Sequence, residues 1–90
     1  MVNLFHGNCL DILPTLADNS IDLLLVDLPY GTTACKWDSI IPLNELWKQY
    51  NRICKQNAAM IFTAVQPFTT ILAASNLDNF RYEWIWEKPQ

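Results

Sequence analysis

Glycine is scarce in this chain: Gly7 and Gly31 are the only two in 90 residues, which excludes a glycine-rich loop of the kind that brings backbone amides against a phosphate or a cofactor. Histidine is rarer still. His6 stands alone, with no Cys, Asp or Glu at ligand spacing, so it reads as a structural or surface residue and no metal is assigned. The three cysteines, Cys9, Cys35 and Cys54, are odd in number and far apart, with no Cys-x-x-Cys pair, so neither a disulfide framework nor a zinc site is suggested and a reduced cytoplasmic chain is expected. Positive charge is in short supply as well. Six basic against nine acidic side chains leave a net charge of −3 and a pI near 4.7, the wrong sign for a protein that grips nucleic-acid phosphates unaided. No apolar run approaches the roughly 20 residues needed to span a bilayer, and the N-terminus lacks a basic segment followed by an apolar signal core.

What the chain does have is apolar and aromatic mass. Hydrophobic residues make up 51% of it, with four Trp, three Tyr and four Phe, while charged residues are only 17%. That balance suits a buried sheet and argues against disorder. A chain of this length makes at most one domain and buries a modest fraction of its surface, so marginal stability is expected, with some apolar surface left for a partner.

Val2 to Phe5 predicts an edge strand, and Asn8 then caps a short helix through Cys9, Leu10, Leu13 and Leu16, which Pro14 should shorten or bend. After the turn residues Asp18-Asn19-Ser20, Ile21 to Val26 is almost unbroken apolar sequence, the pattern of a parallel strand buried on both faces. Gly31 to Ile41 has no period and reads as a loop. From Pro42 onward Leu43, Leu46, Trp47, Tyr50, Ile53 and Cys54 recur at helical spacing opposite a polar face. Ala58 to Ala64 predicts a second buried strand, and Pro67 opens a helix with Phe68, Ile71 and Leu72 on one face. Beyond an Asn76–Asn79 turn, Phe80, Tyr82, Trp84 and Trp86 alternate with Arg81, Glu83, Ile85 and Glu87 as a last strand, with Trp84 and Trp86 in its core or rim. The sum is an α/β chain, a mostly parallel sheet with flanking helices and right-handed crossovers.

In open α/β sheets ligands gather beyond the carboxyl ends of the strands. The first buried strand ends in Asp27-Leu28-Pro29-Tyr30-Gly31, so a carboxylate, a rigid proline and an aromatic ring emerge together at that edge. The plain alternative is an aspartate capping a turn, a proline fixing the bend and a tyrosine covering the rim. By chance alone Asp-x-Pro-Tyr should occur in roughly 1 of 100 chains this long, so the four residues need support from their surroundings.

That support is a family resemblance. The segment resembles the Asp-Pro-Pro-Tyr motif of the S-adenosylmethionine-dependent methyltransferases that modify exocyclic amines of DNA bases, and the run from Asp27 to Asp38 looks like phage and prophage members whose catalytic motif precedes the cofactor motif. Gly7-Asn8-Cys9-Leu10 is similar to the family's Gly-Asp-Cys-Leu segment, and Trp86-Glu87-Lys88-Pro89 to its Trp-x-Lys-Pro strand, so the likeness spans essentially all 90 residues. Asp27, where cytosine-N4 enzymes more often carry serine, matches the adenine-N6 group. The resemblance implies a partial Rossmann-like methyltransferase fold and a DNA adenine-N6 methyltransferase acting on a flipped adenine in a bacterial or phage-infected cytoplasm. Asp27 and the Leu28 carbonyl would accept the two amine hydrogens, Pro29 would hold the turn, and Tyr30 would stack on the base. Leu28 replaces the family's first proline, and a leucine carbonyl accepts as well as a proline carbonyl does. Asn8 replaces an aspartate, and either contacts the cofactor together with Asp27 or simply caps its helix. Gly31 and Lys36 are further candidates for substrate contact, and Lys36, Trp37 and Asp38 lie where the family has mobile segments that order on binding.

The family's Phe-x-Gly-x-Gly cofactor loop has no counterpart here. The ending Trp86-Glu87-Lys88-Pro89-Gln90 is therefore expected to be a break before the cofactor loop and the target-recognition region, leaving residues 1–90 as a truncated catalytic subdomain. DNA would be met through a complete enzyme, formed with a complementing C-terminal half or by homo-oligomerisation. A catalytically inert, phage-derived interaction or inhibitor protein on the same scaffold is the competing expectation, and a stand-alone nucleic-acid binder suits the acidic balance least.

Overall fold

The computed structural model describes residues 1–89; Gln90, the last residue of the Trp86–Gln90 ending, lies outside them. The order of elements is helix α1 (Cys9–Ile12), a 3₁₀ turn (Leu13–Thr15), strand β1 (Ile21–Asp27), helix α2 (Leu43–Ile53), strand β2 (Cys54–Thr63) and helix α3 (Phe68–Ala74). Among the described residues this is an α/β domain with one two-stranded parallel sheet and three α-helices.

Local chemistry explains most boundaries. Asn8 has extended backbone angles and its Oδ1 accepts from the Leu10 amide at 2.9 Å, an N-cap. The α-helix it starts gives way after one turn to the 3₁₀ turn containing Pro14, a residue with no N–H to continue the ladder. Asn19 takes a left-handed φ of 52° in the turn before β1, a conformation asparagine tolerates better than most residues. Pro42 precedes α2, whose apolar stripe puts Leu46, Tyr50 and Ile53 in the core.

β1 and β2 run in register from Leu23↔Ala59 to Asp27↔Thr63, with an irregularity between Ile21 and Leu23. Strand alternation sends Leu24, Val26, Leu28, Met60 and Phe62 toward the helices, where they join Leu46, Tyr50, Ile53, Cys54, Phe68 and Leu72. Phe62 meets Trp47 and Tyr50 of α2 at ring-centroid distances of 5.2 and 5.9 Å, and the Trp47 indole donates to Ser75 Oγ at 2.8 Å, tying α2 to the end of α3. Burial pushes the Tyr50 phenol up to about 12, with nearby Cys9 and Cys54 adding to the rise.

Arg52 joins the two ends of this layer. Its guanidinium donates to the Leu13 and Leu16 carbonyls at 2.9 and 2.7 Å and pairs with Asp18 at 2.6 Å, while the Asn19 and Ser20 amides donate to the Arg52 and Ile53 carbonyls. Carbonyls at the start of the 3₁₀ turn and at its C-cap thus find a charged donor on α2.

Four expectations are corrected. Val2–Phe5 and Phe80–Trp86 form no strand, and β1 is not buried on both faces. An alternating segment is a strand only when a ladder partner offers hydrogen bonds, and neither terminal segment is paired with the β1–β2 sheet. Leu23 and Leu25 of β1 and Ile61 of β2 are 56%, 70% and 50% exposed, because the helices cover one side of the sheet only. Trp84 and Trp86, expected in the core or rim of a last strand, are exposed as well.

Candidate active site

Because β1 and β2 are parallel neighbours, their carboxyl ends lie side by side, and the last register pair is Asp27 and Thr63. Alternation turns both away from the core. The next residue, Leu28, is buried and anchors the chain as it leaves the strand, and the Pro29-Tyr30 bend brings the Tyr30 ring against Phe68, centroids 5.5 Å apart and planes 27° from parallel. Phe68 has no exposed surface. One ring of the motif therefore rests on the firmest point of the core, and its hydroxyl reaches back to 2.9 Å from Asp27 Oδ1 and 2.8 Å from Thr63 Oγ1. Thr63 Oγ1 in turn donates to Asp27 Oδ1 at 2.6 Å.

These bonds hold the Asp27 carboxyl below the usual carboxylate range, Thr63 contributing most and Tyr30 next, against a small opposing effect of desolvation. Asp27 is an anion at neutral pH and a poor proton acceptor for general-base work. It is well suited to accept hydrogen bonds through an oxygen already fixed in place.

The loop that follows is organised by Asp38. One carboxylate oxygen accepts from the Gly31 amide at 3.0 Å; the other accepts from the Thr33 amide at 2.8 Å and the Thr33 hydroxyl at 2.6 Å. The Thr33 hydroxyl and the Gly31 amide lead the causes that lower this carboxyl too. Gly31 has φ +72°, and a Cβ there would sit 2.9 Å from Ile40 Cγ1, so the turn requires glycine. Asp38 is a buried brace whose two oxygens accept from its own loop, and it also borders the cleft beside Tyr30.

Asp27, Leu28, Pro29 and Tyr30 line an open cleft of about 420 Å³, completed by Thr32, Thr33, Trp37 and Asp38. Trp37 is 77% exposed there, on a loop whose base the Asp38 brace holds down. Asn8, Gly31 and Lys36 do not line it: Asn8 is the α1 cap, Gly31 serves the turn, and Lys36 is exposed with no ion pair among the described residues. Thr63 is the residue that sequence reasoning missed. Its signal was a hydroxyl at the end of an apolar strand, informative only once that strand is known to pair beside Asp27.

Among the described residues no three His, Cys, Asp or Glu side chains gather closely enough to hold a metal ion, and no helix is long and apolar enough to cross a membrane. Comparison of the chain with protein-family models, curated proteins and solved structures gives no match.

Proposed function

We propose that the chain is the catalytic part of an S-adenosylmethionine-dependent DNA adenine-N6 methyltransferase, built on a partial Rossmann-like scaffold. The observation that carries this reading is the convergence of the Asp27 carboxylate and the Tyr30 ring on one open cleft at the carboxyl end of a parallel sheet. An adenine amine is a weak nucleophile because its lone pair is delocalised into the ring. Acceptors that hold its two N–H bonds favour the pyramidal nitrogen of the transition state, and Asp27 with the Leu28 carbonyl would supply them. Tyr30, its ring backed by Phe68, offers a stacking surface, a contact worth about 1–3 kcal/mol per base in single-strand binders.

The methyl donor that the resemblance implies does not fit a site made by this chain alone. Asn8 Oδ1 is committed to the Leu10 amide, and neither Gly7 nor Gly31 belongs to a glycine-rich loop. In this proposal a complementing segment or second chain binds the donor, and the residues here orient the amine. DNA is met through that complete assembly, consistent with the acidic balance.

The test is adenine methylation by the complete assembly. Asp27→Ala is expected to lower the rate about 100- to 1,000-fold with folding intact, and an unchanged rate removes Asp27 from the mechanism. Micromolar binding of S-adenosylmethionine by the isolated chain would contradict the incomplete cofactor site. A second reading, an inert interaction protein, is favoured by the bare apolar face at Leu23, Leu25 and Ile61; it predicts no methylation in any assembly.

A further inference from the structure

The end of β2 carries a group that the Asp27–Tyr30 motif does not include. Thr63 Oγ1, Tyr30 Oη and Asp27 Oδ1 form a triangle with sides of 2.6, 2.8 and 2.9 Å. Two hydroxyl protons serve those three contacts. Thr63 gives its proton to the carboxylate at the shortest of them, and the Tyr30 proton is shared between the same carboxylate oxygen and the Thr63 lone pair. Asp27 Oδ2 has no hydrogen-bond partner among the described residues. A free aspartate rotates broadly about its last torsion, so its two oxygens exchange places. Here the strand register puts Thr63 directly opposite Asp27, and the tether distinguishes them.

We infer that Thr63 is the positioning residue of this site, tethering Asp27 Oδ1 so that Oδ2 is the single carboxylate acceptor left for a substrate N–H. The inference rests on the amine-methylating reading and adds to it a residue outside the Asp27–Tyr30 motif. With Oδ1 occupied, the one remaining anionic acceptor has a fixed position, so an amine bound there is held in one orientation. Thr63 touches neither the base nor the methyl donor; it acts through Asp27.

Two measurements test the role separately from the function. Carboxyl NMR titration of the intact chain reads the Asp27 tether without any activity. Thr63→Val, which keeps the β-branched shape, is expected to raise the Asp27 midpoint; Thr63→Ser restores it, and Tyr30→Phe raises it less than Thr63→Val does. The Asp38 midpoint, set by a separate brace, stays low in all three and reports an intact fold. If Thr63→Val leaves Asp27 unmoved while Asp38 holds, the tether is refuted; if Asp38 moves as well, Thr63→Ala, which removes the hydroxyl without adding bulk, is titrated in its place and judged by the same criterion. In the complete assembly, Thr63→Val should reduce kcat about tenfold or more with KM little changed, Thr63→Ser should recover it, and an equal loss in both variants overturns the positioning role. A confirmed tether in an assembly that never methylates adenine would overturn the proposed function and leave the Asp27–Thr63 bond standing.

Discussion

Asp27 and Asp38 lie eleven positions apart and do different work, yet acid should weaken the bonds of both. Both carboxyls titrate below their ordinary value of 3.8 in the folded chain. A depressed folded value means that the stabilisation is present above the unfolded value, near pH 4, and fades as the pH falls through the folded values. Urea midpoints should therefore hold steady from neutral pH to about pH 5 and drop below about pH 4. Asp38→Asn, which gives up the charge while keeping one acceptor oxygen, should flatten part of that drop and weaken hydrogen-exchange protection at the Gly31 and Thr33 amides; unchanged protection at both would show that the brace is not what holds the loop. At Gly31 itself, alanine meets both the positive φ and Ile40, so Gly31→Ala should cost about 1–2 kcal/mol by chemical denaturation. The Asp27-Leu28-Pro29-Tyr30 run was legible because strand end and motif coincide in sequence. Thr63 and the Asp38 brace were not, since one acts across 36 residues and the other needs a loop shape that residue types do not encode locally.

Among the elements, α2 was the most legible: its periodic stripe matches the side that packs on β2, and its residues do not depend on a distant partner to form a helix. The two strands that formed were also readable as apolar runs, though β2 begins at Cys54, four residues before the expected Ala58, because it continues directly from the end of α2. Phe80–Trp86 was misread for the opposite reason. Alternation records what a segment can bury, and among the described residues no strand pairs with it. The joint between elements that matters most is Arg52, whose bonds to Leu13 and Leu16 carbonyls and to Asp18 span 34 to 39 positions. With its side chain 30% exposed, Arg52→Met keeps much of the stem packing and removes the donors, and should cost about 2 kcal/mol in a two-state denaturation. At the other end of the layer, Phe68→Ala opens the core beneath Tyr30 and should cost about 3–5 kcal/mol. It should also raise the Asp27 titration midpoint, because the ring that carries the Tyr30 hydroxyl loses its support.

At the scale of the whole molecule the distribution of burial is one-sided. Leu46 and Ile53 on α2 are 1% exposed, while Leu25 and Ile61, adjacent partners on the bare side of the sheet, are 70% and 50% exposed. Burial is where hydrophobic stabilisation comes from, so the two faces should respond to substitution very differently. Leu46→Ala should cost about 2–5 kcal/mol. Leu25→Thr exchanges a largely solvated side chain for one with good strand propensity, and should change stability by no more than about 0.5 kcal/mol. The comparison is decisive if run at two protein concentrations. Equal penalties at both sites, growing with concentration, would mean that the bare face is covered in solution by another copy; a small Leu25→Thr effect independent of concentration would mean that the face stands open, bordering the edge where Asp27 and Thr63 end their strands. In that second outcome the apolar strip and the polar triangle at its end form one continuous surface. On the function proposed above, the complementing segment or chain would then present an apolar face to Leu25 and Ile61 while leaving Asp27 Oδ2 free for an amine, and Leu25→Lys should abolish methylation by that assembly while leaving the Asp27 and Asp38 titrations of the isolated chain nearly unchanged.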